Sequence, residues 1–251
     1  MRMRTTGEKL TVCAMLALAV VPLLKGVAGG DFILDIATRV AIMGLAATSL
    51  NWLVGYSGLV SLGHAASIGL GAYSVAIADF YGVNNGLVHL GWALLSGGVF
   101  ALLTGVVSLR TRGVAFIMMT MAFGQMAYYA LVSMATYGGD DGLVIYARSD
   151  FTALGIDLEN DTVLFYVAWV LLVASILLTH RVARARFGQL LMAARQNEKR
   201  AIMLGFPVWR YQLFVMVATG MAGSVAGVLL ANFTLYISPD MMGWSRSASC
   251  C

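Results

Sequence analysis

Residues 55–66 read GYSGLVSLGHAA, a cluster of glycines, serines and a histidine inside a stretch with no charged side chain from Val40 to Ala78. Serine and histidine together raise the question of nucleophilic catalysis. A hydroxyl becomes a nucleophile only when a general base lies within hydrogen-bond reach, ~3 Å. Ser57 has three histidines to draw on: His64, His89 and His180. His64 follows about two turns along the same helix and does not reach back easily. Whether either of the others reaches Ser57 depends on how the chain crosses its surroundings.

Those surroundings are apolar. The chain is 60% hydrophobic and 11% charged, with a mean hydropathy of +0.83. Soluble domains carry about 25% charged residues, so this is an integral membrane protein. Cys13 lies in an apolar segment and Cys250 and Cys251 end the chain, which gives neither a disulfide framework nor metal spacing. A helical span needs about 20 apolar residues. Seven segments qualify: 10–28, 32–54, 59–79, 86–109, 113–135, 162–179 and 212–237. Continuous apolar runs outweigh strict alternation, so the spans are helices and the fold is an all-α membrane bundle in one domain over 1–251. The first segment, preceded by Arg2, Arg4 and Lys9, also fits a signal peptide with small residues at Gly26 and Ala28. Lys25 favours a retained anchor.

Charge sets the orientation. Residues 180–210 carry seven basic side chains against one acid, Glu198, whereas 136–161 carry six acids against Arg148 alone. Lysine and arginine stay cytoplasmic, so 180–210 lies inside, 136–161 outside and the N-terminus inside. The basic excess is therefore topological, and nucleic acid drops out as a partner. Within the second span Asp35 and Arg39 stand four residues apart in the favourable order. An interfacial turn with Arg39 reaching outward is the simpler reading, and a buried pair on a pathway the sharper one.

Topology answers the catalytic question. GYSG resembles the Gly-x-Ser-Gly around the nucleophile of rhomboid intramembrane proteases, and Val88-His89-Leu90-Gly91-Trp92 loosely resembles their histidine helix. Yet Ser57 falls at the inner end of one span and His89 near the outer end of another, with a membrane core about 30 Å thick between them. His180 lies at the inner end with no orienting partner. A catalytic serine is not expected. The run is instead a chain reversal near the cytoplasmic side, and irregular backbone at that depth must face protein or a water-filled cavity. Ser57, Ser61 and His64 are thus candidates to line a pathway, as are Asn51 and Gln125 near mid-span. Interhelical hydrogen bonds are the simpler role for each. Gly63, Ser67 and Gly71 recur every fourth residue, and Gly223 and Gly227 form a GxxxG; both are helix-packing surfaces.

The segment 184–211, RARFGQLLMAARQNEKRAIMLGFPVWRY, is long for a turn between helices and too polar for the membrane. It reads as a partly amphipathic helix ended by Gly205 and Pro207, suited to anionic membrane lipid or to a groove on a soluble partner. It resembles the coupling loop of ABC importer permeases, a variant of their "EAA" motif. GYSGLVSLGHAASIGLGAYS, RGVAFIMMTMAFGQM, GGDDGL, the coupling segment and AGSVAGVLLA resemble, in that order, permeases of high-affinity branched-chain amino acid importers, the LivM type. The resemblance covers 40–246; sister urea permeases share most blocks, and GGDDGL favours the amino-acid branch.

The resemblance implies a transport subunit of the bacterial inner membrane, working by alternating access with a second related permease, two ATP-binding subunits and a periplasmic binding protein. The chain has no GxxxxGK[ST] and its lysines, Lys9, Lys25 and Lys199, do not follow glycine. ATP therefore belongs to the partner subunits, and no cofactor is expected in this chain. Coupling to the ATPase falls on Ala194 and Gly205 for close approach and on Arg195 and Glu198 for polar contacts. Family members continue past Ile237-Ser238-Pro239-Asp240 with further membrane helices, whereas this chain ends SASCC, which reads as a truncation or frameshift near Ala248. A secondary transporter or channel is the competing class, but it would not need the docking loop.

Overall fold

The structure is a computed structural model that describes residues 30–151 and 158–243 together with isolated positions between 15 and 22. Apart from those positions, the expected first span at 10–28 lies outside the described residues, as do Ala248 and the terminal cysteine pair. The other six expected spans are all helical, and the protein is an all-α polytopic membrane bundle. Helix α1 (Gly30–Asn51) runs on as a single π-helical stretch, Trp52–Ser57. Gly58, at φ +73°, closes it by donating its N–H to the Leu53 carbonyl. Residues 58–63 are irregular, and α2 (His64–Phe80) follows. Next come α3 (Gly86–Ser108), α4 (Val114–Val132) and α5 (Asp161–Arg184). The chain then forms α6 (Arg186–Gln196), α7 (Glu198–Met203) and the long α8 (Val208–Thr234).

Among the described residues five helical stretches are long and apolar enough to cross a membrane: Gly30–Ser57, Gly86–Ser108, Val114–Val132, Asp161–Arg184 and Val208–Thr234. Helix α2 has only 17 residues, about 26 Å at 1.5 Å per residue. That falls short of the ~30 Å hydrocarbon core, and irregular backbone precedes it. The sequence-based span beginning at 59 is in this respect corrected, because glycine and serine at 58–63 leave the helix to begin at His64. Helix α5 carries Asp161 in its first turn and Arg181 and Arg184 in its last, charges that complement the helix dipole.

Helix α8 forms the spine of the bundle and packs on α2, α3 and α1. Glycines decide how closely it does so. A β-carbon at Gly71 would overlap the Ser224 backbone, one at Gly227 the backbone of Ile68 and Ala72, and one at Gly97 the Ser224 side chain. Gly223 lies against the His64 ring, whose Nε2 and Cε1 would stand 3.1 Å from an added methyl. In lipid the hydrophobic effect does not drive helices together, so association rests on such close van der Waals packing. On the other side of α8, Ala226, Leu229 and Leu230 pack with Ala41, Ile42 and Leu45 of α1 and Ala168 and Leu172 of α5.

The outer end is tied by a two-stranded antiparallel ladder. Strand β1 (Leu143–Val144) pairs with β2 (Tyr236–Ile237) in the register Leu143↔Ile237. The Ile145 N–H adds a bond of 2.9 Å to the Leu235 carbonyl. A 3-10 turn, Pro239–Met242, then folds back and buries Met242 against Gly69 of α2. Replacing Gly71 by Val forces overlap with a backbone that does not yield. Overpacking costs about 1–3 kcal/mol, so thermal melts in detergent should show Gly71→Val clearly destabilised. Gly91→Ala, where an added methyl meets nothing within 4 Å, should melt like the parent protein.

Candidate functional site

The polar residues of the bundle fall into three groups, set by the two ends of the helices and the space between them. At the outer end a buried chain of hydrogen bonds runs through His89. Its Nε2–H donates to the Val83 carbonyl at 2.6 Å, so Nδ1 accepts from the Ser149 hydroxyl at 2.7 Å. The Ser149 N–H donates to Asn232 Oδ1 at 2.7 Å, and Asn232 Nδ2 donates to the Val228 carbonyl at 2.9 Å. His89, Ser149 and Asn232 are all buried. Backbone bonds from Gly86 N–H to the Asp150 carbonyl and from Asp150 N–H to the Asn84 carbonyl, both 2.7 Å, flank this chain. It clamps the acidic loop to α3 and α8. Nearby, the Tyr146 N–H reaches Asp79 at 3.0 Å and Arg148 pairs with Asp161 at 2.8 Å.

At the inner end the basic segment is attached to the membrane helices. Expected as one helix, it breaks at Asn197, whose backbone is extended and whose side chain accepts from the Arg200 N–H at 3.0 Å. That cap starts α7. A Schellman turn ends it: the Phe206 N–H bonds the Ala201 carbonyl at 3.2 Å and the Gly205 N–H bonds Ile202 at 2.9 Å. Gly205 sits at φ +83°, the left-handed position that this cap assigns to glycine. Ala194 is buried against Ala201 and Val208. Arg195 donates to the Gly55 carbonyl in the π-helical stretch, and its aliphatic stem packs on Gly58, where a β-carbon would stand 2.8 Å from Cγ. Glu198 pairs with Arg112, between α3 and α4, at 3.0 Å. Sequence reasoning picked these four residues as outward contacts. Ala194, Arg195 and Glu198 make contacts with their own bundle, while Arg195 and Gly205 are exposed.

Beside its exposed charges the segment presents an apolar set outward. Ile202, Met203, Leu204, Phe206 and Trp209 are exposed, Met203 at 86%. Beside them opens a groove of about 850 Å³, lined by Leu190, Ala193, Asn197, Arg200, Leu204 and Phe206 among others.

Between the two ends lies a small cavity of about 20 Å³ lined by Ser61, Gly63, His64, Ser67, Thr104, Thr120 and Thr219, with apolar neighbours that include Leu53 and Met216. Ser61 and His64 of the expected pathway set are therefore brought together. Ser57 is buried but stands outside the lining, with its hydroxyl unpartnered. Asn51 is exposed and lies over Gly55, and Gln125 is half-buried on α4; neither lines the cavity. The three threonines escaped sequence reasoning. Each sits alone in an apolar helix, and no spacing along the chain links residues 104, 120 and 219.

The histidines are accounted for. His64 Nε2 bonds the Ser49 hydroxyl at 2.8 Å, while His180 is exposed. Neither His64 nor His89 is paired with Ser57. Asp35 and Arg39 are both exposed, and no ion pair joins them among the described residues.

A helical membrane bundle with a clamped outer loop, an inner segment wired to its helix ends and a polar space between them is the architecture of a transport permease. The chain belongs to the family described as permease component of branched-chain amino acid transport systems, whose model matches residues 32–249. It is 28% identical to the high-affinity branched-chain amino acid transport system permease protein LivM of Escherichia coli K12, over 267 aligned positions covering 97% of this chain. LivM of Salmonella typhimurium is 27% identical over the same coverage, and the chain spans 62% of the length of each of these relatives. The L-arabinose transport system permease protein AraH of Escherichia coli is 33% identical over 95 residues, 35% of this chain and 29% of AraH. No solved structure matches.

The two ends should respond differently to mutation. Ser149→Ala leaves a buried imidazole nitrogen without its donor, at a cost of about 1–3 kcal/mol. The Arg112 side chain is 66% exposed, and such surface pairs contribute about 0–1 kcal/mol, so Glu198→Ala should barely shift the melt. Parallel thermal unfolding of the two variants in detergent checks the contrast.

Proposed function

We propose that this chain is a membrane-spanning subunit of an ABC importer of the bacterial inner membrane and carries branched-chain amino acids by alternating access. Energy comes from separate ATP-binding subunits docked on α6 and α7, and a periplasmic binding protein delivers the substrate to the outer end. The family places the chain among transport permeases, and the LivM relatives favour amino acids over the sugar named for AraH. The observation that carries the docking is the exposed apolar set Ile202, Met203, Leu204, Phe206 and Trp209 beside the groove. Water disfavours an apolar surface of this kind, which marks a contact with another protein.

Transmission follows from the bonds behind that surface. A push on α6 and α7 reaches α1 through Arg195 and Gly55, and reaches the α3–α4 connection through Glu198 and Arg112. The receiving end of α1 is π-helical, a wider winding found mostly as short bulges at functional sites. Trp52 in the same stretch donates to Thr179 of α5, so the push spreads to a second membrane helix. The two ends then rotate against each other around α8, a shear of the kind that packed helices allow.

Leu204→Asp places a charge on the docking surface without touching the bundle. Gly205→Glu adds a charge and strains the φ +83° turn, by about 1–2 kcal/mol. Both variants should insert, and Leu204→Asp should melt close to the parent protein. In proteoliposomes with the ATPase and binding-protein partners they should lose at least tenfold in substrate-stimulated ATP hydrolysis and in leucine uptake. Undiminished coupling in Leu204→Asp refutes the docking surface, and uptake of urea or arabinose in place of leucine refutes the substrate class.

A further inference from the structure

The hydroxyls around the central cavity behave unlike interhelical glue. Thr104 donates to the Phe100 carbonyl at 2.8 Å, Thr120 to Ile117 at 3.0 Å and Thr219 to Met216 at 2.9 Å. Each proton is spent within its own helix, so none of the three hydroxyls bonds across to a neighbour. What they turn to the cavity is lone pairs. His64 is committed in the same sense: Ser49 gives its proton to the Ala46 carbonyl at 2.7 Å, so Ser49 accepts from His64 Nε2–H. The remaining ring nitrogen, Nδ1, is therefore an acceptor. Ser61 and Ser67 line the same space and are 3% and 4% exposed. The lining contains no carboxylate, and His64 is its one basic side chain.

A cavity rimmed by acceptors on four helices and one irregular segment is matched to a ligand that donates several hydrogen bonds. We infer that it is a site for a hydrogen-bond-donating head group, taking the α-ammonium of the amino acid in transit and one water molecule otherwise. A volume of about 20 Å³ exceeds the ~10–15 Å³ that one water requires, and an ammonium group is of similar size. A carboxylate finds few donors there, so the zwitterion passes with its ammonium toward Thr104, Thr120 and Thr219. Substrate must part the helices around the site to bring its side chain past, and the glycine contacts of α8 with α2 and α3 are the surfaces on which they slide. This assignment rests on the amino-acid reading of the transport function; the acceptor character of the cavity rests on geometry alone.

Two measurements separate those two levels. In the purified chain, X-ray radiolysis generates hydroxyl radical from bound water, and Met216 lines the cavity whereas Met118 is exposed on the outer face of α4. Met216 should oxidise at least fivefold faster than Met118 in lipid nanodiscs, and Thr120→Val with Thr219→Val should abolish the difference. Slow oxidation of Met216 in the parent protein overturns the polar site whatever is transported. In proteoliposomes holding the complete importer, the parent protein should prefer leucine to its 2-hydroxy analogue by at least tenfold. The double valine variant should narrow this to threefold or less through a raised KM, and Thr219→Ser with Thr120→Ser, which keeps both acceptors, should restore it. An unchanged preference in the valine variant overturns the ammonium assignment. Failure of the parent importer to carry leucine overturns the amino-acid reading and the ammonium assignment with it, and leaves the oxidation result to decide the cavity.

Discussion

The close approach of α8 to α2 and α3 is the constraint on which the rest of the molecule depends. Where Gly71 meets the Ser224 backbone and Gly227 meets Ile68 and Ala72, the helices touch main chain to main chain. That contact removes side-chain volume from the centre of the bundle and fixes the axial register of α8 against α2. Register in turn sets Gly223 against His64 and brings Thr219 to the level of Ser67 and Thr104. A bundle of ordinary leucine packing would hold its helices farther apart, and the central polar groups would then face lipid or one another. Lipid supplies no hydrophobic drive to compensate, so small residues do this work.

The two ends of the bundle use different physics because they meet different demands. The outer end is held by buried, fully partnered hydrogen bonds through His89, Ser149 and Asn232, which in low dielectric are costly to break. The inner end is held by exposed charges, Arg195 on a carbonyl and Arg112 with Glu198, which water competes for. A stiff clamp at one end and a yielding attachment at the other suit the proposed drive from the side of the basic segment. Helix α7 is short and doubly capped, by Asn197 at its start and the Gly205 turn at its end, so it keeps its shape while its apolar face is presented outward.

Much of this was legible before any coordinates. Apolar runs located the six spans that fall on described residues to within a few positions, because lipid forces every backbone group into intrahelical bonds and leaves hydropathy to mark the helices. Gly205 and Pro207 announced the end of the basic segment's helix for the same local reason that Asn197, passed over in the sequence, broke it: capping is decided by neighbours a few residues away. The irregular stretch at 58–63 was also visible, since only protein or water tolerates such backbone at membrane depth. The direction in which Arg195 and Glu198 face was not visible. A charged side chain on a surface helix reads the same whether it meets solvent, a partner or its own domain.

The sequence by itself determined that this chain is a helical membrane protein with an acidic and a basic side, and it carried the ordered motifs of a permease family. Those properties arise from composition and short-range spacing, which survive in one dimension. Only the tertiary structure decided which polar residues share a space. Ser61, His64, Thr104, Thr120 and Thr219 converge because glycines let five segments approach, and that convergence has no period along the chain. It also decided the part played by GYSGLVSLGHAA. Ser57 is left without a base, the Gly55 carbonyl accepts from Arg195, and His64 bonds Ser49 through Nε2.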